Sequence, residues 1–195
     1  MKAYPYAYGA TMPRSEQILF EIDGFTAELC RAADSLQTAY RLRYQAYLES
    51  EAVDPNPDGK LKDTFDLQPN TFTHLIWYDG LPVGTVRSHL HCEAFDWRPT
   101  ECSNYFPVVV ERELGAKTQY LESNRYAISP DLGRRQSLFA QSLIFRIHAL
   151  CSAIYGCSHI LTIVREKHLP FYQRFLAFDL LTEERCWYEP MQSQI

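Results

Sequence analysis

A strand, an arginine-bearing turn and one long apolar helix follow one another between Thr118 and Tyr155, and this run constrains the fold more than any other part of the chain. Thr118 to Ala127 reads as a strand carrying Glu122-Ser123-Asn124-Arg125, a carboxylate and a guanidinium three residues apart. Ser129-Pro130-Asp131-Leu132-Gly133-Arg134-Arg135 then turns the chain. Gln136 to Tyr155 is apolar over most of its circumference and is expected to be a buried helix, stopped by Gly156. A helix start behind such a turn suits an anion, because its first N–H groups are unpaired and the dipole favours negative charge. A nearby carboxylate can take a proton from an amine. Together these features point to an enzyme that moves a group carried on a phosphate-bearing cofactor.

The remaining elements set that unit in a mixed sheet. Ile18 to Ile22 reads as a short strand, and Asp34 or Ser35 can cap a helix running to about Ser50, with Leu36, Ala39, Tyr40, Arg43 and Tyr47 near one face. Asp54-Pro55-Asn56-Pro57-Asp58-Gly59 breaks the chain into a surface loop. Thr71 to Tyr78 and Leu81 to His91 are β-rich runs joined by Asp79-Gly80, a hairpin signal. Residues 92–116 read as irregular, with a short helix near Val108 to Leu114. Ile160 to Val164 follows as a strand, Glu166 to Ala177 as a helix with Pro170 in its first turn, and Cys186 to Tyr188 as a last strand. The order predicts an α/β (α+β) fold, a mixed sheet with helices on its faces. At 195 residues there is room for one well-buried core. Residues 1–17 read as a loose arm and 18–195 as a single domain.

A net charge of −5 argues against nucleic acid as the main partner. Six cysteines without a C-x-x-C pair, and no signal peptide, suggest reduced thiols in a cytoplasmic protein. No apolar run approaches the roughly 20 residues of a membrane helix, so no integral membrane segment is expected. His89 and His91 share a strand face but have no third ligand, so no metal is expected.

Several side chains have two uses open to them. Glu122 can act as a general base for an amine or form an ion pair with Arg125 or Arg87. Arg134 and Arg135 can hold a phosphate or simply lie in solvent. Asp63 and Asp66 can cap a helix or bind a cation. Arg43 can snorkel from its helix face or bind a substrate, and Tyr172 can be a core residue or a proton donor.

The order strand, arginine turn, long helix, strand, short helix with Phe171-Tyr172 and Ala177-Phe178 resembles the GNAT acyltransferase superfamily, in which a glycine is usual where Ala177 stands. Four further motifs, in order, resemble the acyl-homoserine-lactone synthases and the related long-chain N-acyl amino acid synthases. They are Arg43 with Tyr47, the D-x-x-D pair Asp63 and Asp66, Gly84 with Arg87, and Glu122 with Arg125. Leu61 replaces the glutamate and Val53 the tryptophan usual in homoserine-lactone synthases, which favours the amino acid branch.

The resemblance implies a mostly antiparallel sheet that splays near the Glu122 strand. It implies transfer of a fatty acyl group from an acyl-carrier-protein or CoA thioester to the α-amino group of an amino acid, tyrosine being the favoured acceptor. No tightly bound cofactor is implied; the acyl-phosphopantetheine is a co-substrate. Glu122, Arg125 and Tyr172 would be catalytic. Arg43, Arg87, Asp66 and Ser129 would bind substrate, with Arg87, Arg125 or Arg43 reading the acceptor's carboxylate, and Gly133, Arg134, Arg135, Gln136 and Ser137 would bind the phosphopantetheine. The alternatives are homoserine-lactone synthesis and a non-catalytic module that binds an acyl thioester.

Overall fold

The computed structural model describes residues 17–188 and 193–194. Residues 1–16 of the expected arm lie outside the described residues, and Gln17 is buried. Six strands form one sheet in sequence order: β1 (Ile18–Ile22), β2 (Phe25–Leu29), β3 (Thr71–Tyr78), β4 (Leu81–His91), β5 (Tyr120–Ile128) and β6 (His159–Thr162). All neighbours are antiparallel except β5 and β6. That parallel pair needs a crossover, and α4 (Arg134–Tyr155) supplies it. The sheet is thus mostly antiparallel with flanking helices, as expected. A separate two-stranded ribbon pairs β7 (Trp187–Tyr188) with β8 (Ser193–Gln194).

Two strand pairs are closed by the same device. Asp79 and Gly80 link β3 to β4 with φ of 48° and 78°. Asp23 and Gly24 link β1 to β2 with φ of 49° and 79°. Both central residues are left-handed, the conformation whose twist matches a two-residue hairpin. The second hairpin adds a strand, β2, beyond those expected.

Helices cover the two faces. α1 (Ala33–Glu49) packs Ala39 and Leu42 against Cys30, Leu75 and Trp77. It starts slightly before the expected cap: Ala32 is the N-cap, with no side-chain bond, and Asp34 lies in the first turn, where the dipole favours it. On the other face, α4 sets Ala140, Leu143, Ile144 and Ile147 on Phe25, Ala27, Ile76, Val83 and Val86. Gly156 ends α4 at φ 63°.

The expectation that α4, apolar over most of its circumference, is a buried helix holds for one face only. One face packs on the sheet, while Leu138, Leu150 and Ile154 are exposed. Among the described residues α4 is long and apolar enough to cross a membrane by length and composition. The expectation that no apolar run reaches this length is therefore corrected too, and the packed face makes α4 the sheet's covering helix.

The irregular stretch contains more helix than expected. Thr100 caps α2 (Glu101–Tyr105) through a capping box with Ser103, and Pro107 opens α3 (Pro107–Leu114). α5 spans Leu169–Leu176 and ends on Ala177 at φ 53°.

Candidate active site

Strand alternation decides which side chains meet. Leu75 and Trp77 of β3 face α1, and Ile76 faces α4. On β4, Val86 faces α4, so Arg87 faces α1. Arg87 pairs with Asn124 of β5, which puts Asn124 and, two residues earlier, Glu122 on the α1 face. Regular alternation would send Arg125 to the other face. Instead the register slips between Thr85 and Arg87, and Arg125 is left-handed at φ 52°. This β-bulge turns Arg125 to the same face as Asn124, while Tyr126 packs on the α4 side.

The result is a buried network of three guanidiniums and four carboxylates. Arg87 is fully buried and is its hub: Nη1 meets Asp63 at 2.6 Å and Asp66 at 3.1 Å, Nη2 meets Glu101 at 3.0 Å, and Nε donates to Asn124 at 2.7 Å. Arg43, also fully buried, meets Asp66 at 2.7 Å and donates to Thr73 at 3.1 Å. Arg125 bonds Asp63 and meets Glu101 at 3.1 Å. Asp63 and Asp66 form a capping box on the single helical turn Thr64–Leu67, so capping and ion pairing are both realised.

Glu122 accepts from the Cys102 N–H at 2.7 Å and from Asn124 Nδ2 at 2.8 Å. The same Nδ2 lies 2.8 Å from Glu101 and 3.1 Å from His89 Nδ1. An amide has two hydrogens, so one of these three contacts is an approach without a shared proton.

Burial and charge set the protonation states. Burial pushes the Asp63 and Asp66 carboxyls up, but the adjacent arginines outweigh it and hold both below their ordinary value. Glu122 goes the other way: burial, then the Glu101 carboxylate, raise it. A raised Glu122 binds a proton more readily than an ordinary carboxylate does.

A cavity of about 290 Å³ adjoins this network. β5 and β6 pair only from Tyr120/His159 to Ser123/Thr162, and β5 continues to Ile128 paired with β4 on its other edge. The cavity fills that divergence. It is lined by Glu101, Asn124 and Arg125 from the α1 side and by Tyr126 and Phe145 from the α4 side, so it joins the two faces. Tyr172 also lines it, next to Phe171 and Phe178; burial, then Tyr47, raise its phenol, and a Thr162 hydrogen bond opposes them.

Of the residues expected to act, Arg125 and Tyr172 line the cavity, while Glu122 is fully buried and does not. Arg43, Arg87 and Asp66 are bound to one another behind it. Ser129 is buried at the end of β5, its N–H donating to Val83. Gly133, Arg134 and Arg135 are exposed at the start of α4, with Gln136 and Ser137 half-buried beside them. Two polar groups lay outside the sequence expectations. Glu101 had only the Thr100–Ser103 capping pattern to place it on a helix start, and Arg165, which also lines the cavity, had no motif at all. Among the described residues no group of three or more His, Cys, Asp or Glu side chains is placed to hold a metal ion.

The sheet parts beside its one parallel strand pair, with an arginine-bearing helix start on one face and a buried acid on the other, and the family match makes this arrangement that of an N-acyltransferase. Residues 38–191 match the family model of the N-acyl amino acid synthase FeeM, and the chain belongs to that family. The fold is similar to that of FeeM from uncultured soil microbes, an N-acyl amino acid synthase, with a TM-score of 0.66 at 15% identity over 87% of this chain and 86% of that one. It also resembles a GCN5-related N-acetyltransferase from Ralstonia eutropha JMP134, with a TM-score of 0.55 at 17% identity over 83% and 95% of the two chains. The CoA-dependent acyl-homoserine lactone synthase BjaI gives a TM-score of 0.54 at 22% identity over 72% of this chain and 64% of that one. No curated protein sequence matches the chain.

Proposed function

We propose that this N-acyltransferase moves a fatty acyl group from the phosphopantetheine thioester of acyl carrier protein or CoA to the α-amine of an amino acid. The observation that carries the reading is the cavity through the sheet, because it lets two substrates approach one point from opposite faces. The thioester arm enters from the α4 side, where Arg134, Arg135 and the free N–H groups at the helix start suit its phosphate. The amine enters on the α1 side, against Glu101 and Arg125. A neighbour described as CoA-dependent supports a CoA-type donor. Acyl carrier protein is the donor suggested by the bulky Gly133-Arg134-Arg135 turn. Tyrosine is the first acceptor to try, because Tyr47, Tyr126, Phe145 and Phe171 surround the cavity. The cytoplasm, where both substrates are made, is the proposed location.

An α-ammonium is not nucleophilic, so a proton must leave before attack. Glu122 is the base in this scheme. It is separated from the cavity by Asn124 and Glu101, so the proton reaches it by way of Glu101 or a water. The amine nitrogen then bonds to the thioester carbon, giving a tetrahedral oxyanion held by a β5 N–H freed where the strands part. The carbon–sulfur bond breaks, Tyr172 protonates the thiolate, and the nitrogen's second proton restores the phenol. The net products are amide, thiol and one proton.

The test is thiol release from one acyl-carrier-protein thioester, or its CoA counterpart, with each of the twenty amino acids. Release that depends on the amino acid is expected. Release at the same rate with none present would make the protein a thioesterase and overturn the reading.

A further inference from the structure

Two arginines line the cavity, and they differ in one respect. Arg125 is neutralised by Asp63 and Glu101. Arg165, three residues beyond the end of β6, meets no carboxylate among the described residues. Its Nη2 lies 3.5 Å from His168 Nε2, and its buried Nε has no hydrogen-bond partner. Lys167 adds to the positive field rather than cancelling it, and His168 brings no negative charge, being held below its ordinary value by burial, then by Arg165 and Lys167. A half-buried guanidinium that meets no carboxylate, at the wall of a substrate cavity, can offer its fork of Nη donors to an oxygen anion.

We infer that Arg165 binds a substrate oxyanion in this cavity. That anion is either the α-carboxylate of the acceptor or the phosphodiester of the donor's pantetheine arm. The inference rests on the proposed function for the identity of the two substrates, but not for the anion site itself. In the carboxylate case the cavity reads a zwitterion, with Glu101 for the ammonium and Arg165 for the carboxylate. Arg43, Arg87 and Arg125, the readers expected from sequence, are each committed to internal carboxylates. Arg134 and Arg135 are exposed on α4 and do not line the cavity.

The test compares the parent protein with Arg165→Gln and Arg165→Lys. KM is measured for tyrosine, for its decarboxylated amine tyramine, and for an acyl-CoA. A rise of about tenfold or more in the tyrosine KM of Arg165→Gln, with tyramine and donor unchanged, assigns the carboxylate, in line with the loss of a charge-assisted hydrogen bond. The same rise for the donor alone assigns the phosphodiester. Arg165→Lys keeps the charge without the fork and should fall between. Unchanged KM values in a variant that still makes amide overturn the inference and leave the proposed function standing. If the parent makes no amide, the proposed function fails. The shift in melting temperature caused by tyrosine or acyl-CoA then carries the comparison without turnover. A smaller shift in Arg165→Gln supports the anion site; equal shifts in both proteins, or none in either, overturn it.

Discussion

Replacing Arg87 with methionine removes the cation that Asp63, Asp66 and Glu101 share. Methionine fills much of the volume, so the effect is electrostatic rather than a cavity. Removing one member of a buried ion pair costs about 3–5 kcal/mol, because the carboxylates left behind stay desolvated. Asp66 keeps Arg43, and Asp63 and Glu101 keep Arg125, which holds the loss within that range rather than tripling it. In a chain of this length the melting temperature should fall by roughly 6–20 °C.

The cost also depends on pH. Asp63 and Asp66 have folded pKa values below their unfolded ones, so their contribution is complete above about pH 4, the unfolded value, and is lost as pH falls through the folded values. The gap between parent and Arg87→Met should therefore narrow on acidification. Urea titrations at pH 7 and at about pH 3, below the unfolded value, measure both effects. A variant within about 1 kcal/mol of the parent at pH 7 would refute the claim that this network is a high-stakes element of the fold.

Acid should destabilise the parent in an earlier window as well. Burial holds His74 at about 3, His89 at about 3 and His148 at about 4. The unfolded chain therefore binds protons first, and stability is lost as pH falls below about 6.5. By pH 5 each histidine contributes a loss of about 2 kcal/mol; a urea midpoint unchanged from pH 7 to pH 5 would contradict these assignments. Glu122→Gln removes the proton acceptor and should lower turnover by roughly 10²-fold or more, measured as steady-state thiol release from a protein with a normal melting curve. Ala177→Gly should raise stability by up to about 1 kcal/mol, read as a higher melting temperature, because a left-handed φ of 53° strains any side chain.

That last position shows one way sequence carries structure. Ala177 stands where a glycine is usual in the superfamily, and the helix indeed ends there in the glycine conformation. Asp79-Gly80 placed one hairpin, yet the same dipeptide at Asp23-Gly24 was available and marks β2. Arg43, Asp63, Asp66, Arg87, Glu122 and Arg125 were legible as motif residues, and five of them share one direct ion-pair network, with Glu122 joined through Asn124. Their mutual commitment was not legible, because it depends on which carboxylate faces which guanidinium across four elements. The bulge at Arg125 needs the β4–β5 register to be known. Glu101 sits in a stretch without apolar periodicity, so only tertiary contact brings it to Arg87. The exposed side of α4 was misjudged because apolar composition does not reveal how much of a helix a sheet can cover.

The central claim is amide formation on an amino acid, and product mass tests it most directly. The protein is incubated with one acyl-carrier-protein thioester and an equimolar mixture of the twenty amino acids, and the extract is read by mass spectrometry with one ¹⁵N-labelled repeat. The account predicts an N-acyl amino acid whose mass rises with the label and whose amount equals the thiol released. Free fatty acid in place of the amide, or an acyl lactone formed only when S-adenosylmethionine is supplied, would contradict it.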